Sequence, residues 1–106
     1  MEYSEPRLTA PTLKLLRFLL TDRSNENSGA AISKATKIGA GTLYPLLARL
    51  ESAGWVTGTW EQADPREIGR PKRRFYQLTG LGATRARGAL ADFQLPLSGG
   101  VLAWNT

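Results

Sequence analysis

Between Ala35 and Gly54 the sequence writes one side of a helix in leucine and leaves the other side almost bare. Leu43, Leu46, Leu47 and Leu50 recur at i, i+3, i+4 and i+7, which gathers them into one stripe facing a core. Gly54 follows as a left-handed stop. On a 3.6-residue wheel the opposite side carries Gly41, Pro45, Ala48 and Ser52, with Thr42 and Arg49 on one flank and Tyr44 and Glu51 on the other. A solvated helix ordinarily holds long Lys and Glu side chains there. Small residues instead let a backbone sink close to a partner, and a DNA major groove about 12 Å wide admits one helix. The stretch reads either as a recognition helix or as a core helix with small surface residues. Pro45 cannot donate to the carbonyl of Gly41 and crowds it, which predicts a loosened or kinked first turn. Gly39 takes the N-cap position, and the N–H groups after it can meet a phosphate.

The surrounding segments set this helix in a pattern. Residues Met1 to Thr9 are polar and read as an arm. A first helix is predicted from Thr9, whose hydroxyl can cap it, through Pro11 in its first turn to Thr21. Leu13, Leu15, Leu16, Phe18, Leu19 and Leu20 leave only Lys14 and Arg17 on a polar strip, so this helix needs cover on more than one side. Asp22 to Ser28 is a polar turn. A short second helix, Gly29 to Lys37, follows a Ser28 cap with Ala31, Ile32 and Ala35 facing inward. The turn at Ile38-Gly39-Ala40 then gives helix-turn-helix spacing.

Alternation marks two strands, Trp55 to Gln62 and Arg73 to Thr79, joined by a long loop with two prolines and a glycine. Arg66, Arg70, Lys72, Arg73 and Arg74 lie within nine positions, opposed there only by Glu67. Pro71 stiffens the tip and lowers the ordering cost of engaging phosphates or a narrow minor groove. Strand alternation sends Arg73 and Arg74 to opposite faces, so one of them points outward. A charge run of this kind also serves as a solvated hairpin tip; coupled to a helix-turn-helix immediately upstream, it reads as a basic wing.

Thr79 caps a last helix to Phe93, with Ala83, Ala86, Leu90 and Phe93 on one face. Gly82 and Gly88 each cost about 1 kcal/mol relative to Ala inside a helix, so packing must hold it. The face predicts contact with a symmetry mate, together with Leu15, Phe18 and Leu19 of the first helix; docking within the chain is the alternative. The expected architecture is mainly α with a small β-hairpin: a winged helix-turn-helix with a C-terminal dimerisation helix over residues 1–93, then a short apolar tail at 94–106.

Composition narrows the function. The net charge of +5 over 106 residues favours a polyanionic partner. With no Cys and no His, thiol and imidazole catalysis and the usual zinc ligands are excluded, and the nine carboxylates form no paired constellation. No enzyme, metal or cofactor is expected. No apolar run approaches the roughly 20 residues that span a bilayer, and the start does not read as a signal peptide, so a cytoplasmic protein is expected. Base reading falls to Thr42 and Tyr44, although Tyr44 equally suits packing under the second helix. Lys34 and Lys37 on the second helix, and Arg49, can hold backbone phosphates.

The residues Gly41-Thr42-Leu43-Tyr44-Pro45-Leu46-Leu47, Arg49-Leu50-Glu51 and Gly54, then Gly69-Arg70-Pro71 with Arg73-Arg74-Phe75-Tyr76-Gln77-Leu78-Thr79 and Gly82, closely resemble the PadR family of bacterial transcriptional regulators. The resemblance implies a dimeric repressor that binds a palindromic operator in double-stranded DNA through paired recognition helices and wings, often released by a small aromatic compound. It carries DNA contact to Thr42, Tyr44, Arg70 and Lys72. Many members place Ser-Pro where this chain has Gly39-Ala40, and the last helix here lacks the Trp that some members stack on ligands. The competing function is a winged-helix module that docks a protein without specific DNA readout.

Overall fold

The structure is a computed structural model that describes residues 6–22 and 27–92. In chain order the elements are α1 (Ala10–Thr21), α2 (Gly29–Thr36), α3 (Ala40–Ser52), β1 (Val56–Trp60), α4 (Pro65–Ile68), β2 (Arg74–Leu78) and α5 (Gly80–Asp92). The winged helix-turn-helix expected from the pattern is the fold observed: a helical head, a two-stranded antiparallel hairpin and a closing helix. Phe93 and the tail at 94–106 lie outside the described residues, as do residues 1–5 of the arm.

The leucine stripe of α3 is fully committed to the core. Leu43, Leu46, Leu47 and Leu50 are buried against Leu15, Leu16 and Leu19 of α1, Ile32 of α2, and Trp55, Val56 and Tyr76 around the hairpin. The helix runs on through Pro45. Gly41, whose carbonyl lost its donor, is exposed, so water can serve it in place of the missing N–H. Gly39 stands at the N-cap with extended backbone and no side-chain bond. At the other end Gly54 adopts φ +82°, and the N–H of Trp55 donates back to the carbonyl of Leu50 at 2.9 Å, which turns the chain into β1.

Several local expectations are corrected. Thr9 sits at the N-cap of α1, but its hydroxyl bonds that of Thr12 at 2.9 Å and no helix N–H, because Thr12 is buried and its own hydroxyl needs a partner. In α2, Ser28 does cap, accepting from the N–H of Ala31 at 3.1 Å. The inward arc, however, is Gly29, Ile32 and Thr36, and Ala31 and Ala35 are exposed. The arc is rotated toward Gly29 because the ring of Tyr44 rests there; a Cβ on Gly29 would strike it. The described end of the turn before α2 is also built in: Asn27 and Ser28 are buried, the N–H of Tyr76 donates to the carbonyl of Asn27 at 2.9 Å, and Ser28 bridges Phe75.

The hairpin pairs Val56 with Leu78, Gly58 with Tyr76 and Trp60 with Arg74. Its connection holds a four-residue helix, α4, in place of an open loop. Asp64 caps it by accepting from the N–H of Arg66 at 2.9 Å, and Gly69 ends it at φ +73°. After β2, Thr79 closes the fold. Its hydroxyl donates to the carbonyl of Gly54 at 2.6 Å and accepts from the N–H of Gly82 at 2.9 Å.

The face of α5 assigned above to a symmetry mate is used inside the chain. Ala86 and Leu90 are 0% exposed, Leu90 clusters with Leu13 and Ala89, and Leu15 and Leu19 are buried in the main core. Of the described residues in that set, Phe18 and Ala83 keep partial exposure. The physical reason is visible in α1, whose nearly all-apolar circumference takes α2 on one side and α5 on another. At its start α5 also meets the segment between α3 and β1: a Cβ on Gly82 would collide with the backbone carbonyl of Trp55, so α5 crosses the chain there in backbone contact.

A candidate nucleic-acid interface

The bare side of α3 is open to solvent along its length. Gly41, Thr42, Tyr44, Pro45, Ala48 and Arg49 are all exposed, so burial on the stripe side leaves a low ridge facing outward. Tyr44 is 45% exposed: the hydroxyl end of its ring packs over Gly29, and the residue borders a cleft. Of the two roles considered for this residue, packing against the second helix is the one seen in this conformation.

That cleft, about 230 Å³, joins the elements that the sequence kept apart. It is lined by Ser28, Gly29 and Ala30 from the start of α2, Tyr44 from α3, and Lys72, Arg73, Arg74 and Tyr76 from the wing. Lys34 and Lys37 on α2 are exposed, the latter at the left-handed end of the helix with φ 65°. Arg49 faces a second small pocket with Arg7 and Thr9.

The five wing cations are not equivalent. Lys72 and Arg73 are exposed, and the Arg66 side chain is 93% exposed beside Asp64 at 3.8 Å. Arg70 lies bidentate on Glu61, with contacts of 2.8 and 2.9 Å. Arg74 is paired with Glu51 at 2.6 Å, its guanidinium 5.3 Å from the ring centre of Trp60 and 6.0 Å from that of Tyr76. Of the two arginines expected on opposite faces, Arg73 is therefore the outward one. The Glu61 carboxyl is held at about 2, well below its ordinary value, chiefly by the hydrogen bond from Arg70 and then by the N–H of Arg73. Burial pushes the Tyr76 hydroxyl up, against the lowering influence of the Arg74 charge.

Glu51, Glu61, Gly58 and Gly29 were not singled out as site residues by the sequence. Each acts through a residue distant in the chain. The one available signal was the imbalance of the basic run, whose neutralising carboxylates had to come from outside it.

Residues 25–87, more than half of the chain, match the transcriptional regulator PadR-like family. The chain belongs to this family. No curated relative matches the sequence. Among solved structures, a DNA complex of Staphylococcus aureus MepR superposes with a TM-score of 0.67 at 21% identity, over 82% of this chain and 59% of MepR. A transcriptional regulator homologue from Pyrococcus horikoshii gives 0.64 at 22% identity, over 84% and 81% of the two chains. A PadR-like transcription factor from Bacteroides fragilis gives 0.62 at 25% identity, over 77% and 79%. The PadR-like chain thus spans 59% of the length of MepR, and the likeness to it is one of fold. Among the described residues no helix is long and apolar enough to cross a membrane.

Proposed function

We propose that this PadR-like protein binds double-stranded DNA, reads a palindromic operator as a homodimer and represses transcription from it. The observation that carries the reading is the shared cleft: Tyr44, on the bare ridge of α3, lines the same recess as Lys72 and Arg73 of the wing. A ridge of Gly41, Thr42, Ala48 and Pro45 suits close approach to base edges, with Thr42 and Tyr44 as the polar readers. Exposed cations beside it suit phosphates, which position a protein without carrying sequence information themselves. Lys34 and Lys37 of α2, Arg49 of α3 and Arg66 of α4 are further exposed cations that this reading assigns to phosphates.

Dimerisation in this proposal uses the surface that the monomer leaves, including Phe18 and Ala83, with Phe93 beyond the described residues. Two half-sites related by two-fold symmetry then match the two copies. Release by a small aromatic ligand, implied by the family resemblance, belongs to the same proposal. The groove of about 240 Å³ lined by Leu8, Trp55, Gly88 and Ala89, with Thr84, Arg85 and Asp92, offers part-apolar walls for it, and is below the roughly 300–1,000 Å³ typical of drug-sized sites.

The deciding experiment is selection of binding sites from random duplexes, followed by affinity for the selected palindrome and for random duplex across salt, with the mass of the free protein and complex in solution. The reading expects a palindromic consensus, a dimer mass, and a preference on the order of 10³-fold or more over random duplex. Equal affinity for both duplexes with one common salt slope would leave only non-specific attraction.

A further inference from the structure

Arg74 has the chemistry of a phosphate contact, but its surroundings face inward. Its guanidinium is 2.6 Å from a carboxylate oxygen of Glu51, which lies in the last turn of α3. It stacks against Trp60 at the end of β1 and Tyr76 on its own strand. Between those rings it crosses Gly58 of β1, where a Cβ would stand 2.6 Å from Nε and 2.8 Å from Cζ. Glycine weakens a strand interior, and here its missing side chain is the notch in which the guanidinium lies. One cation therefore touches the recognition helix and both strands of the wing.

We propose that Arg74 is a positioning residue for DNA binding: with Glu51 as anchor and Gly58 as notch, it locks the wing to α3 so that Lys72 and Arg73 stand at a fixed distance from the α3 ridge. This rests on the DNA-binding reading for its function, while the lock itself is a property of the free protein. Two substitutions test it, one that removes a charge and one that does not. Glu51→Gln removes a negative charge near a polyanion, so simple electrostatics makes binding tighter. The lock makes it weaker, by about five- to tenfold on the selected duplex, which corresponds to roughly 1–1.4 kcal/mol. Gly58→Ala changes no charge and favours the strand by propensity, yet it displaces the guanidinium, the flexible end of Arg74, and is expected to give a smaller loss in the same direction.

Affinity for selected and random duplexes, and hydrogen exchange of the β1 and β2 amides without DNA, are measured for both variants, for Arg74→Met and for the Glu51→Gln/Arg74→Met pair. The lock predicts faster exchange confined to the hairpin in every variant, a larger loss on the selected duplex than on the random one, and a double variant no worse than Arg74→Met alone. Tighter binding by Glu51→Gln, wild-type behaviour of Gly58→Ala, or additive losses in the double variant would overturn it. Were no duplex selected by the wild-type protein, the DNA-binding reading would fall by itself, and unchanged hairpin exchange would still overturn the lock.

Discussion

Both carboxylate oxygens of Glu61 clasp the guanidinium of Arg70, at 2.8 and 2.9 Å, and one of them also accepts the backbone N–H of Arg73 at 3.1 Å. The pair closes the loop at the far end of the strand ladder, where the N–H of Glu61 donates to the carbonyl of Arg73. The basic stretch is thereby divided: Arg70 braces the loop and Arg74 pairs with Glu51, while Lys72 and Arg73 stay exposed to meet a ligand surface.

The brace has a pH signature. Glu61 is held at about 2 against an ordinary 4.5, first by its hydrogen bond from Arg70. A carboxyl depressed in the folded state stabilises it fully above the unfolded value and loses that contribution as pH falls from 4.5 toward 2. An NMR titration is expected to show the Glu61 side chain ionised at pH 3.5, with wing amides losing protection only below that; a midpoint near 4.5 would contradict the clasp. Glu61→Gln should abolish this pH dependence.

Two glycines of α5 should respond in opposite directions to alanine. Gly88 has open space where a Cβ would stand, so Gly88→Ala is expected to gain about 0.5–1 kcal/mol from helix propensity. Gly82→Ala drives its methyl into the Trp55 carbonyl, a backbone group that cannot rotate away, and is expected to lose about 1–3 kcal/mol. Urea unfolding of the two variants gives the comparison directly. Equal stability would mean that α5 does not cross the chain as closely as described.

Much of the fold was legible because its determinants are local and periodic. The leucines of α3 announce their own stripe, Ser28 and Thr79 cap the helices that they precede, and Gly54 takes the positive φ its position demanded. What was not legible depends on partners far along the chain. Arg74 meets Glu51 across 23 positions, and Arg70 meets Glu61 across nine, so no window of sequence shows either pair. Gly82 looked like a propensity defect until its approach to Trp55 gave it a reason. Ala86 and Leu90 formed a face that periodicity could identify, but periodicity does not say whether the cover is α1 or a second copy; the apolar surplus of α1 decided it. In the site, the bare ridge of α3 was readable from residue size alone, whereas the ranking of the wing cations required the carboxylates that bind two of them.

That ranking makes Lys72 and Arg73 the wing residues to test. Both are exposed, so Lys72→Ala and Arg73→Ala should leave unfolding unchanged within about 0.5 kcal/mol. Each should weaken selected and random duplex alike and lower the salt slope by about 1, as expected for the loss of one phosphate contact. Loss confined to the selected duplex would instead make the residue a reader of bases.

The central claim is that the bare ridge of α3 fits against base edges, and Ala48 is the position that tests it most directly. Ala48 is exposed and lies on the side opposite the leucine stripe, so Ala48→Leu adds only bulk: no charge, no hydrogen-bonding group and no helix-propensity penalty beyond a few tenths of a kcal/mol. Equilibrium binding of Ala48→Leu to the selected duplex, alongside its thermal midpoint, is the measurement. The account predicts at least about a tenfold loss of affinity, roughly 1.4 kcal/mol, with an unchanged midpoint. Wild-type affinity in a normally folded Ala48→Leu protein would show that nothing approaches that ridge closely, and would contradict the account.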